Sequence, residues 1–181
     1  MTPTRCWRGN TPPAGPADQV AGAEGGTVRI GRDTPEREDV LQLLGEHLAD
    51  MYATSPPESV HALDPAALAG PGISFWTARQ DSRLLGCAAL KHLAPGDAEI
   101  KSMRTANAAR GCGVASALLR HLLAEARHSG YERLFLETGS QEFFAPARRL
   151  YERHGFTDCP PFAGYEADPN SVFMSLLLDA G

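Results

Sequence analysis

The sequence predicts an α/β fold: a mixed sheet with helices packed on both faces. Three observations carry this. Residues 98–138 run strand, glycine-containing loop, helix, strand, and a helix between two strands leaves them parallel. ISFWTAR (73–79) and RLLGCAALKHL (83–93) are apolar strands joined by a tight turn at 80–82, which makes an antiparallel hairpin. Stretches of helical periodicity flank these strands, so amphipathic helices are available to cover the sheet.

Taken in order, residues 1–26 are rich in Pro, Gly, Ala and Thr without apolar periodicity. They predict a disordered tail ahead of a single domain over 27–181. TVRIGRD (27–33) alternates as a strand. Thr34 and Pro35 are a cap and first helical residue, and Val40, Leu41, Leu44 and Leu48 are the buried face of a helix ending near Tyr52. A second helical piece is predicted from Ser59 to about Leu68, broken by GPG at 70–72. After the hairpin, APGD (94–97) turns into a strand, AEIKSMRT (98–105). A helix over 111–129 follows and ends at Gly130, which suits a left-handed C-terminal position. ERLFLET (132–138) is a strand, a helix spans about 145–154, and SVFMSLLL (171–178) closes the sheet.

Composition bounds the function. The chain has 181 residues, 43% hydrophobic and 22% charged, with a net charge of -5. That is enough for one domain with a real core, and it argues against a nucleic-acid surface. Cys6, Cys87, Cys112 and Cys159 show no CxxC spacing, so they read as thiols in a reducing compartment, without a disulfide framework or a metal site. The N-terminus lacks an apolar signal region and no run approaches a membrane span, so a cytoplasmic protein that engages no membrane is expected.

The stretch ANAARGCGVASALLRHLL (106–123) carries the chemistry. Free N–H groups at a helix N-terminus bind anions with help from the helix dipole. Glycines allow close approach of the backbone, and Arg110 adds a planar positive fork suited to phosphate. The P-loop pattern fails because no Lys-Ser or Lys-Thr follows a glycine here. The dinucleotide pattern is weakened by Ser116 in place of its third glycine. Arg110-Gly111-Cys112-Gly113-Val114-Ala115 meets a third pattern, Arg/Gln-x-x-Gly-x-Gly/Ala, in full. A glycine-rich turn that binds nothing is the bland reading.

Here the chain resembles the GNAT acyltransferase superfamily over about residues 27–178, most sharply over 98–156. Besides the phosphate loop, FAPARRLYERHGF resembles the family's Asn-x-x-Ala-x-x-Leu-Tyr-x-x-x-Gly-Phe, with Ala147, Leu150, Tyr151, Gly155 and Phe156 in register. Phe144 stands where asparagine is usual, and Asn107 where proline is frequent. The resemblance implies a GNAT-like acyl-CoA acyltransferase fold whose strand 98–105 splays from strand 132–138. Pantetheine then pairs in the gap at Met103, Arg104 and Thr105. The pyrophosphate site maps onto Arg110, Gly111, Cys112, Gly113, Val114, Ala115 and Ser116, mainly through backbone N–H groups, and the ligand is acetyl-CoA or a related acyl-CoA.

The implied reaction is N-acetyl transfer to a primary amine by direct attack in a ternary complex. Tyr151 matches the tyrosine that protonates the departing thiolate in many members; a buried core tyrosine with a satisfied hydroxyl is the competing reading. Glu99, which period-2 alternation places on one face with Lys101, Met103 and Thr105, and Glu137, at the end of the neighbouring strand, are candidate bases, as is a water chain. Either carboxylate also reads as structural, paired with Lys101 or Arg104. Cys112 in a pyrophosphate loop lies at the wrong end for an acyl-enzyme. Tyr52, Ser55, Glu58 and His61 of the loop YATSPPESVHALD are the polar candidates for the acceptor site, opposite AGYEADPNS (163–171). The runner-up function is a non-catalytic acyl-CoA sensor or partner-binding domain. A homodimer is compatible with the sequence but not specified by it.

Overall fold

The computed structural model describes residues 19–21, 27–61 and 63–179. Eight strands form one sheet: β1 (Gln19–Ala21), β2 (Thr27–Arg32), β3 (Ile73–Gln80), β4 (Arg83–Ala94), β5 (Asp97–Thr105), β6 (Arg133–Gly139), β7 (Thr157–Asp158) and β8 (Ser171–Leu177). Their order across the sheet is β1-β2-β3-β4-β5-β6-β8-β7. Among the described residues only β5 and β6 pair in parallel, through the crossover helix α3 (Val114–His128). The mixed sheet read from the sequence is therefore the observed one. Within the stretch read as a tail, Gln19–Ala21 pair antiparallel with Thr27–Arg29; the rest of residues 1–26 lies outside the described residues.

Helices cover both faces. On one side α3 and α4 (Ala145–Arg153) bury Leu118, Leu119, Leu122 and Leu150 with Trp76, Ala88, Leu90, Ile100 and Leu136. Gly86 permits the close approach of α3: a Cβ there would lie 2.6 Å from the Arg104 carbonyl and 3.1 Å from Leu118. On the other side α1 (Glu38–Thr54) and α2 (Pro65–Leu68) pack Val40, Leu43, Leu44 and Leu68 on Phe75, Cys87 and Ala89. Phe135, Phe162 and Phe173 form a third cluster with Tyr165 against it.

Two helix starts differ from the sequence reading. Thr34 does not cap α1. Asp33 is held on β3 by Thr77 (2.8 Å) and Arg79 (3.1 Å), and the Thr34 hydroxyl accepts from the Glu36 N–H (3.3 Å) inside a turn. The helix then begins at Glu38, with Glu38 and Asp39 complementing its dipole. The helical piece over 59–68 is divided into a 3-10 turn at Pro57–Ser59 and the short α2. Asp64 precedes a proline, which disfavours helical backbone, and instead caps α2 by accepting from the Ala67 N–H (2.7 Å).

A bulge in β5 changes the faces of its residues. Cys87 pairs with Arg104 but Ala89 pairs with Lys101, so one residue of β4 opposes two of β5. Ser102 takes up the extra residue with a left-handed φ of 50°. Period 2 is broken there. Glu99, Lys101 and Arg104 share the α1 face, whereas Met103 packs into the α3–α4 core. The single face predicted for Glu99, Lys101, Met103 and Thr105 is thus corrected.

Candidate active site

The phosphate loop is built from a 3-10 turn at Asn107–Ala109 that buries Ala109, followed by left-handed glycines at Gly111 (φ 73°) and Gly113 (φ 81°). The Cys112 N–H returns to the Ala109 carbonyl (3.3 Å), and the first bond into α3 is Ala117 N–H to Gly113 C=O (3.0 Å). The N–H groups of Val114, Ala115 and Ser116 precede that bond and point out of the helix end. Val114 turns its side chain inward, buried in the core. No atom lies within 4 Å of a Cβ built on Gly111, so its outer side is open. Arg110 is half-exposed, 3.5 Å from Asp50 on α1. These residues offer an anion directional N–H donors, a dipole and a guanidinium at one place.

Next to this loop the sheet opens. β5 and β6 pair only from Asp97↔Arg133 to Ile100↔Leu136. Yet β5 stays on β4 as far as Thr105, and β6 stays on β8 as far as Gly139. The facing edges of 101–105 and 137–139 are left without strand partners, an opening that suits an extended, amide-bearing chain. Met103 lines the α4 side of it. The Arg104 side chain does not enter it: the guanidinium is buried and paired with Asp50 at 2.6 Å. His47 near this pair is pushed down to about 4 by burial and then by the charge of Arg104.

Tyr151 and Glu137 reach the gap from opposite faces. Tyr151, on α4, is buried with its hydroxyl 3.8 Å from the Met103 Sδ. Burial, and then the Glu137 charge, push its pKa upward, so the phenol keeps its proton. Glu137 lies just past the last β5–β6 pair and accepts from the Ser171 hydroxyl (2.7 Å). Burial raises its pKa first of all; the Ser171 hydrogen bond and the charges of His61 and Lys101 oppose that, and Glu99 adds to it. Glu99 is differently placed. It is fully buried, 3.2 Å from Lys101 Nζ, and accepts from the Tyr165 hydroxyl (2.6 Å). Both contacts fall on Oε1.

On the α1 face a cleft of about 800 Å³ opens between the loop after α1 and residues 163–170. Of the acceptor-site candidates, Glu58 and His61 line it, together with Glu99 and Lys101; Tyr52 does not, standing exposed on α1. Sequence reasoning gave Lys101 only as a salt-bridge partner for a strand carboxylate, which it is to Glu99, and did not single out Tyr165 within AGYEADPNS. Lys101 Nζ donates to the Tyr165 hydroxyl (2.6 Å) and the His61 carbonyl (3.1 Å), tying both cleft walls to the sheet. Tyr165 meets His61 edge to face. Ser55 and Asn170 each contact Gln141 at 3.3 Å, and Asn170 reaches Ser59 at 3.3 Å, which closes the rim. No local pattern announces these contacts, because the partners lie far apart in the chain.

Phe144 also has a defined role. Its ring lies where a Cβ on Gly139 would go, and Arg148 donates to the Gly139 carbonyl (2.6 Å). The end of β6 is held by packing and an arginine. Removing Lys101 should cost more than any rim contact, because it leaves Glu99 buried without its cation. Lys101→Met is expected to destabilise the fold by about 3–5 kcal/mol in urea unfolding. Adding Glu99→Gln should recover part of that loss; a double variant no more stable than the single would show that the pair is not coupled.

Residues 40–156 match the family described as Acetyltransferase (GNAT) family. A protein named uncharacterized N-acetyltransferase YsnE from Bacillus subtilis is 54% identical over 136 residues, 75% of this chain and 90% of that protein. A protein named IAA acetyltransferase from Azospirillum brasilense is 39% identical over 151 residues, 81% of this chain and 95% of that one. Among solved structures, one described as an acyl-CoA N-acyltransferase from Klebsiella pneumoniae superposes with a TM-score of 0.70 at 27% identity, covering 84% of this chain and 98% of that one. A GNAT acetyltransferase from Elizabethkingia anophelis with acetyl-CoA bound has the same fold (TM-score 0.59, 17% identity, 83% and 98% covered).

Proposed function

The chain belongs to the acetyltransferase (GNAT) family of acyltransferases, and on that premise we propose that it transfers an acetyl group from acetyl-CoA to a primary amine of a small molecule, amino acid or peptide. The attack is direct, within a ternary complex. The observation that carries this reading is the position of the β5–β6 opening. It has the glycine-rich helix start at one end, Tyr151 on one face, and Glu137 on the other, the face on which Glu99 and Lys101 line the cleft.

The residues present fit acetyl-CoA. The N–H groups of Val114, Ala115 and Ser116, with Arg110, would hold the pyrophosphate, and the free edges at 101–105 and 137–139 would take the pantetheine amides. When bound, acetyl-CoA supplies an acyl group activated as a thioester. The chain's own residues manage protons and charge. An acceptor ammonium has a pKa near ~10, so presenting it as free amine at neutral pH costs about 4 kcal/mol. Glu137, with its raised pKa, is the base for that proton. Glu99 is set aside because Lys101 and Tyr165 occupy it. Tyr151 keeps its proton and donates it to the departing sulfur. A backbone N–H near Met103 would donate to the oxygen that gains charge.

The alternative, a non-catalytic acyl-CoA sensor, has less in its favour: a sensor has no need of a raised-pKa carboxylate and a protonated phenol flanking one gap. Thiol release from acetyl-CoA tests the two readings against a panel of primary amines. Acetyl-CoA binding without release for any acceptor would overturn the enzyme reading for that panel. Tyr151→Phe is expected to lower turnover by about tenfold to a hundredfold while CoA affinity changes little. Equal turnover would remove Tyr151 from the acid role.

A further inference from the structure

Glu99 has one carboxylate oxygen that the fold leaves unused. Its side chain is 2% exposed, and Lys101 Nζ (3.2 Å) and the Tyr165 hydroxyl (2.6 Å) both meet Oε1. Among the described residues nothing pairs with Oε2. Lys91 stands opposite Glu99 in the β4–β5 register but forms no ion pair with it. Nor is Oε2 sealed from solvent without a partner; it reaches the cleft that Glu99 lines. A carboxylate oxygen so deeply placed calls for a donor, and here the donor has to arrive through the cleft.

The cleft favours a cationic donor. Its lining holds four carboxylates, Glu58, Glu99, Glu166 and Asp168, against two lysines, Lys91 and Lys101. Lys101 is already matched by Glu99, and the Ser59 hydrogen bond holds the Asp168 carboxyl below its ordinary range. An excess of negative charge in a concave site raises the local concentration of cations. Glu99 is also set at a fixed spacing from the proposed base. It pairs with Phe135 in the β5–β6 register, and Glu137 lies two residues further along β6 on the same face, where the two charges interact. Strand spacing and rise put these carboxylates roughly 8 Å apart.

Resting on the acetyl-transfer reading above, we propose that the acceptor is a small aliphatic diamine, with one nitrogen reacting beside Glu137 and the other bound as an ammonium by Glu99 Oε2. The separation matches a chain of about four to six carbons. The second ammonium is held alike before and during transfer, so it lowers KM more than it raises kcat. A singly acetylated product has one cation left and cannot fill both positions, so acetylation stops at one end.

The test measures thiol release and product mass for the full chain with straight-chain monoamines and α,ω-diamines of increasing length. A diamine of about five carbons is expected to exceed the monoamine of equal length by at least about tenfold in kcat/KM, chiefly through KM, and to yield a singly acetylated product. Lysine, which adds a carboxylate to the same spacing, should be the poorer acceptor. Combining Glu99→Gln with Lys101→Met leaves no buried charge unmatched and should bring the diamine-to-monoamine ratio within about threefold of one. Should that variant not fold, the wild-type length series decides alone. Equal kcat/KM for monoamines and diamines at every length would overturn the proposal. So would an unaltered ratio in the folded double variant, a preference for lysine, or a second acetylation as fast as the first. Absence of thiol release with every amine would instead overturn the acetyl-transfer reading, and this inference with it.

Discussion

Gly113→Asp is expected to weaken CoA binding by a hundredfold or more while leaving the protein folded. Two effects act on binding. An aspartate beside the first turn of α3 is a residue type that accepts from the N–H groups there, so its carboxylate competes for the donors the pyrophosphate needs. Its charge then repels what remains. Together these reach about 3 kcal/mol, which is the hundredfold. Gly113 also sits at φ 81°, a conformation that costs a side-chain-bearing residue about 1 kcal/mol of stability in free and bound protein alike. The cap partly offsets the backbone cost, so circular dichroism and thermal unfolding should change little. Isothermal titration with CoA measures the loss. Unchanged affinity would show that the loop does not hold the cofactor.

Glu137→Gln is expected to lower turnover by about a hundredfold to a thousandfold with little effect on CoA affinity. The pH dependence is the sharper readout. Burial raises the Glu137 pKa, so its carboxyl keeps a proton above the ordinary carboxylate range. A base must be ionised, so wild-type turnover should rise with pH through that raised value and then level. In Glu137→Gln this acid limb should vanish. Stability should move the opposite way. A carboxyl whose folded pKa is raised binds more protons folded than unfolded, so its contribution is full below the unfolded pKa and is lost as pH rises through the folded one. At neutral pH the glutamine variant should therefore melt at or above the wild-type temperature while turning over more slowly. Wild-type turnover in Glu137→Gln would remove Glu137 as base.

Much of this could be read along the chain, and what could be read was local. The hairpin at 73–93 shows as apolar strands with a turn between them, and strand and turn preferences act within a few residues. The helix after the loop shows through its apolar spacing and the left-handed glycines that launch it. Phe144 was legible as a departure from the family's asparagine, though not what it does, because Gly139 lies five residues back across a turn. The bulge at Ser102 had no signal: serine is not a residue that advertises a positive φ, and the register of β4 against β5 imposes it.

That bulge decides the chemistry of the strand. It sends Arg104 to Asp50 with Glu99 and Lys101 on one face, and Met103 to Tyr151 on the other. The sequence by itself determined the element order, the glycine-led helix start and the tyrosine on the last helix, because each depends on residues within a turn or two of one another. Only the tertiary structure distinguishes the two strand carboxylates. Glu99 and Glu137 are both apolar-strand glutamates, and they differ in what the fold brings to them: Lys101 and Tyr165 to the first, an unpaired strand edge and a serine hydroxyl to the second. Burial without a cation raises a carboxyl's affinity for protons, while burial with one engages the carboxylate in an ion pair. Such a difference is set by distances in space between residues dozens of positions apart.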